Sequence, residues 1–247
     1  MGTWVKSRTN AEAHVLRDAV RGNYRLNTAS TGAQDDATSS ISGFVSDGFT
    51  VATADAVNNS SQTYASWNWK ANGAGSANTD GSINSTVSVN TTSGFSIVKY
   101  TATGSNATVG HGLGAVPKMI IVKDLDDSGG SNWVVYHQSL GNTDGMYLNT
   151  TDSTVGTNTF WNNTTPTSSV FSIGTNAKVN NVGNDFIAYC FAEKTGYSKI
   201  GSYTGNGNAD GTFIYTGFKP AFIFSKKTNA SGTQWTIWDN KRSSSGG

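Results

Sequence analysis

Along this chain, apolar residues alternate with polar ones or cluster in short runs, and Gly, Asn and Asp separate one run from the next. Runs of that length and spacing read as β-strands bounded by turns. They predict strands over residues 4–8, 15–18, 49–52, 63–70, 95–101, 118–123, 133–137, 146–149, 170–173, 186–192, 198–204, 222–226 and 233–238. Many short strands at this spacing suit a sandwich or jelly roll. Pro117 and Pro220 each precede an apolar run, where the missing N–H costs no ladder bond. Residues 10–21 are the one competing helix, because Asn10 could cap it. Their counterparts, 133–137 and 235–239, are rich in β-branched and aromatic residues, so strand is the expected state there too.

The pattern also repeats. Tyr100, Gly114, Pro117 and Lys123 return 103 positions later as Tyr203, Gly217, Pro220 and Lys226. Leu26, Asn27, Thr28, Phe49, Val57 and Asn58 return 122 positions later, and there Tyr189 stands for Trp67. Three apolar runs end in Lys, at Lys6, Lys123 and Lys226, and each is followed by a short block opening at His14, Trp133 or Trp235. The expected fold class is therefore all-β: antiparallel β-sandwich or jelly-roll-like, lectin-like units in tandem duplication. The expected division is 1–93, 94–196 and a partial third repeat, 197–247, packed on the first two. The two offsets differ, which places a polar insertion at 72–93 in the first unit, read as a loop or a small added hairpin. The array opens inside one repeat and stops inside another, so either the fold closes across its ends or the chain is a piece of a longer array.

Composition narrows the function classes. Only Glu12 and Glu193 are Glu, whereas Gly, Ser, Thr and Asn abound, which favours strands and turns over helices. A net charge of +1 with 13% charged residues leaves no basic face for nucleic acid or an anionic membrane. No apolar stretch reaches the roughly 18 residues of a membrane span. The single cysteine, Cys190, lies in an apolar run and reads as a buried thiol, outside any disulfide framework.

Candidate chemistry is sparse. His14, His111 and His137 correspond to other residue types in the other copies, and no nucleophile elbow, zinc-protease or phosphate-loop motif is present. No enzymatic role and no cofactor are expected. Asp124, Asp126 and Asp127, followed by Ser128 and Gly129, resemble a fragment of a calcium loop without its closing Glu, and a solvated hairpin tip is the competing reading. Trp67 and Trp69 share one face of an alternating strand and read as core. Trp161 lies in a loop without an aromatic counterpart, beside Asn162 and Asn163; an indole face flanked by amides is a candidate glycan contact, against the alternative that it folds back onto the core.

Trp4, Lys6 and Arg8, then His14, Arg17, Asp18 and Arg21, the Asp47-Gly48-Phe49 turn, Trp67 and Trp69, Gly94 to Tyr100, Gly110 to Gly114, and Gly201 to Gly207 together resemble an uncharacterised repeat domain. That domain occurs in tail-fibre-like structural proteins of tailed phages of marine bacteria and cyanobacteria. The resemblance implies a virion component on the exterior surface, a homo-oligomer in contact with other virion proteins and with host surface polysaccharide. It implies a tail-fibre or receptor-binding role, with capsid decoration and a cellular adhesin or filament subunit as the alternatives. It transfers no catalytic residue.

Overall fold

The structure, a computed structural model, describes residues 1–242. In the first stretch lie β1 (Gly2–Ser7), β2 (Val15–Asp18), β3 (Tyr24–Asn27), β4 (Asp35–Asp36), β5 (Ile41–Phe44), β6 (Phe49–Val51), the single turn α1 (Asp55–Asn58) and β7 (Tyr64–Trp69). A hairpin of β8 (Ser76–Asn78) and β9 (Ser85–Asn90) follows. Next come β10 (Phe95–Thr101), β11 (Ala107–Gly110), β12 (Met119–Asp124), β13 (Val134–His137), β14 (Asp144–Tyr147), β15 (Val155–Gly156), β16 (Val170–Ile173), the turn α2 (Ala177–Asn180) and β17 (Asp185–Phe191). The last hairpin is β18 (Phe222–Ser225) with β19 (Thr236–Asp239).

The protein is all-β and antiparallel throughout its named ladders, as its alternation predicts. The first sheet runs β4-β3-β2-β1-β7 and the second β15-β14-β13-β12-β17-β10-β9-β8. Five strands of the second, β15-β14-β13-β12-β17, repeat the order of the first. Each of these five-strand sets carries one helical turn just ahead of its last strand. The block at 15–18 is strand, so the helix alternative fails at the position the corresponding blocks indicated.

Period-2 geometry sends successive side chains to opposite faces, and here both faces are covered. On the first sheet, Val5 and Val15 meet Ile41, Ala56 and Val57 under the β5–β6 hairpin. Trp4, Leu16 and Leu26 point the other way, into a central core shared with Ile97, Ile121, Trp133 and Val135 of the second sheet. Phe224, Trp235 and Ile237 of the last hairpin pack against that same core. Val98, Ile120, Val134 and Ala188 form the far side of the second sheet, closed by β11, β16 and the loop carrying Phe160. Burial on both faces explains why 186–192 reads as one continuous apolar run. Two sandwiches and a hairpin therefore meet at one core.

Hydrogen bonds tie each part to the one before it in sequence. The Trp133 indole donates to Ser30 O at 3.2 Å, and the Trp235 indole donates to Tyr147 O at 2.9 Å. Lys123 Nζ reaches Thr31 O at 3.1 Å, and Lys226 Nζ reaches Thr150 O at 3.4 Å.

One expectation changes, and another, the added hairpin at 72–93, is met with an unexpected partner. Residues 198–204, expected as a strand, carry no ladder: Ser198 forms a single bridge with Lys194, Ile200 N–H donates to Glu193 and Ile200 O accepts from the Gln138 amide, and 201–215 are exposed. The polar stretch 72–93 forms the β8–β9 hairpin, and β9 pairs with β10, so its hydrogen bonds lie with the second sheet although the sequence division counts it with the first unit. Its hydroxyls replace apolar contacts: Ser85 Oγ donates to Gly110 O at 2.9 Å and Ser88 Oγ donates to Gly73 O at 2.8 Å. Gly81 is required at the tip, because a Cβ there would stand 2.4 Å from Thr108 O.

Candidate functional site

The sequence-predicted site residues are brought to places that use up their chemistry. Asp124 ends β12 fully buried, and its Oδ1 accepts from the backbone N–H of Asp126 at 3.0 Å and of Asp127 at 3.1 Å. The Asn184 amide donates to both of its oxygens. Asp126 turns to the Asp185 N–H at 2.7 Å, and Asp127 caps Gly129 N at 2.9 Å. The three carboxylates thus hold turns instead of converging, and no metal-competent cluster of three acidic, His or Cys side chains occurs among the described residues. The calcium-loop reading is corrected to a self-capped turn.

Trp161 is corrected in the same way. Its side chain is 1% exposed, its indole donates to Asp144 O at 3.0 Å, and it meets Tyr136 edge to face at 5.5 Å. A sugar has no access to that ring. Asn162 and Asn163 turn the chain back toward solvent with φ of 49° and 50°, a left-handed pair that asparagine tolerates better than most residues. His111 is also interior: Leu113 N–H donates to Nδ1, which puts the proton on Nε2 facing Thr167 O at 3.2 Å, and burial lowers its pKa. Burial raises the Cys190 thiol far above its ordinary range and keeps it protonated.

One constellation occurs twice. At the end of β2, Asp18 Oδ1 accepts from Val20 N and Arg21 N, while Oδ2 accepts Arg21 Nε at 2.6 Å and the Tyr189 hydroxyl at 2.7 Å. Arg21 Nη2 returns to Leu16 O at 3.1 Å. At the end of β19, Asp239 Oδ1 accepts from Lys241 N and Arg242 N, Oδ2 accepts Arg242 Nε and the Trp67 indole, and Arg242 Nη2 returns to Ile237 O at 2.8 Å. The first node is closed, with both side chains 0% exposed. Burial works against the Arg21 charge, yet the Asp18 carboxylate more than offsets it and raises the pKa.

The second node opens into a cleft of about 480 Å³ between β1, β7 and β19. Lys6, Arg8, His14 and Arg242 supply its polar wall, and Trp67 and Trp235 its aromatic faces. Arg242 lies 4.9 Å over the Trp67 ring. Burial, reinforced by Lys6 and Arg242, lowers the His14 pKa to about 4, so the ring is neutral at pH 7 and accepts from the Trp4 indole at 2.9 Å. Such a wall, cationic and indole-faced, can hold a carboxylated ring by charge on one side and stacking on the other.

A family model described as a domain of unknown function, DUF7483, matches residues 2–247. The chain belongs to the DUF7483 family. No curated protein and no solved structure matches it.

For this DUF7483 domain the cleft was missed from sequence because its residues come from separated segments. Arg8, Trp67 and Arg242 share no motif. A signal was nevertheless present: Asp18 and Arg21 stand at the same spacing as Asp239 and Arg242, and each pair follows a corresponding block.

Proposed function

We propose that the chain is a non-catalytic structural protein of a virion exterior, built by tandem duplication and serving as a tail-fibre or receptor-binding component that touches host surface glycans. The observation that carries this reading is the inward turn of its reactive side chains. Asp18, Arg21, His111, Lys123, Asp124 and Cys190 are all buried, and five of the six hold turns, strands or loops by hydrogen bonds. What faces outward is mainly hydroxyl and amide, interrupted by exposed aromatics such as Tyr203, Phe213 and Tyr215, with a cationic, indole-lined cleft. The surface is that of a durable binding module.

Within this reading the cleft takes an acidic sugar, its carboxylate at Arg8 and Arg242 and its ring on Trp67 or Trp235. Retention of the protein on host acidic polysaccharide tests it. Arg8→Ala, an exposed change, should cut retention several-fold without moving the melting temperature, whereas unchanged retention removes the cleft from the proposal. Electron microscopy of the particle tests the location, and finding the chain only on the capsid shell would replace the fibre reading with a decoration role.

A further inference from the structure

The two similar sheets differ at one edge. In the second, β17 is followed by β10, in a ladder that sets Ile97 opposite Tyr189 and Phe95 opposite Phe191. The first sheet stops at β7, and no strand of the described residues lies beyond it. The chain also carries a segment that corresponds to β10 and has no ladder. Residues 198–204 stand 103 positions after β10, with Ile200 for Ile97 and Tyr203 for Tyr100. An open edge and a segment of the matching kind, held locally only by the Ser198–Lys194 bridge and by Ile200 on Glu193 and Gln138, are thus present in one molecule, yet not joined.

The side chains match as well as the backbone. Tyr100 fills the far face of the second sheet, 2% exposed, its hydroxyl on Val179 O at 2.8 Å and its ring stacked on Phe186 and edge-on to Phe171. The corresponding positions on the first sheet are Val57, Tyr64 and Phe49. Tyr64 and Phe49 are only partly covered there, and Val51 beside them is 39% exposed. Tyr203 is 58% exposed. Farther along the same arm, residues 210–213 correspond to β11, whose partner β16 corresponds to β6, and Phe213 is 85% exposed.

We propose that the arm of one copy, residues 198–213, adds as an antiparallel strand to the free edge of β7 in a second copy, with Ile200 exchanging its bonds to Glu193 and Gln138 for a place opposite Trp67 and Tyr203 seated over Val57 of the neighbour. Main-chain hydrogen bonds hold the added strand, and the tyrosine fixes its register. Each molecule has one arm and one edge, and the two surfaces differ, so the contact is head-to-tail and propagates unless it closes a ring. This assembly does not rest on glycan binding, although Ile200 of the arm stands beside the Trp67 that lines the cleft.

Sedimentation velocity of the full chain across a wide concentration range tests it. The expected result is assembly beyond the monomer, as an open series or a closed ring, with Ser202→Pro and Tyr203→Asp each monomeric at the same concentrations and unchanged in melting temperature, since both residues are exposed. Ser202→Pro keeps an intact edge, so adding it substoichiometrically to the unaltered chain should shorten the assemblies. Two results would overturn the proposal: a monomer at every concentration, or arm variants that assemble like the unaltered chain.

Discussion

The Asp18 and Asp239 nodes have the same wiring and differ in what surrounds them. Each carboxylate caps two backbone N–H groups, receives an Arg three residues on and takes one aromatic donor from another sheet. Around Asp18 the second sheet closes completely, and Arg21 and Asp18 are both 0% exposed; Arg242 remains 30% exposed over Trp67. The lesson is that the motif specifies the turn, while the neighbouring sheet decides the energetics. A buried pair that loses one partner leaves a charge without compensation, and an open pair leaves a charge for water.

The largest expected effect follows directly. Asp18→Ala should cost about 3–5 kcal/mol by leaving the Arg21 charge buried. Asp239→Ala, measured by the same urea titration, should cost about 1 kcal/mol or less. Equal losses would show that the turn bonds, rather than burial, carry both nodes. Next in size, Tyr189→Phe removes one donor from Asp18 and should cost about 1–3 kcal/mol, with Trp67→Phe costing less because the Asp239–Arg242 pair is the more open one, Arg242 being in contact with water.

The open node also has a pH signature through His14, which lies near Arg242. Its folded pKa of about 4 is below the ordinary 6.5, so between those values the unfolded chain binds more protons. The stability contributed by the neutral ring is therefore complete above 6.5 and lost as pH falls toward 4. Melting temperatures of the unaltered chain and of His14→Phe should converge or cross over that window, and parallel profiles would remove His14 as a contributor. The smallest effect is ionic: molar salt should weaken the Asp239–Arg242 pair and leave Asp18–Arg21 unaffected, seen as a lower cost of Asp239→Ala in salt.

Much of the scaffold was legible in the sequence, because strands such as β10, β12 and β17 bury apolar side chains and advertise themselves by run and alternation. β9 did not, since Ser85 and Ser88 pack by hydroxyl hydrogen bonds and look like loop. β4 and β15, two residues each, are too short for any period. Residues 198–204 have a strand's pattern and no ladder, because pattern describes what a segment can pair with and not whether a partner is at hand. The site was less legible. Trp161 looked like a loop indole, yet the loop folds inward, and the acidic run at Asp124 looked like a cation loop, yet backbone donors reach it first. The cleft depends on residues from opposite ends of the chain, a juxtaposition that only folding creates.

The bonds between successive parts impose a schedule on synthesis. Ser30 and Tyr147, the carbonyls that receive the Trp133 and Trp235 indoles, leave the ribosome before the residues that dock on them, so each hairpin finds its seat already made. The Asp18 node runs against that order. Its Tyr189 cap arrives 171 residues later, and until then the first sheet carries an unfinished charged pair on the face destined for the central core. The early half of the nascent chain is thus left waiting for the late half, which makes the two sandwiches a single cooperative product rather than beads completed one at a time.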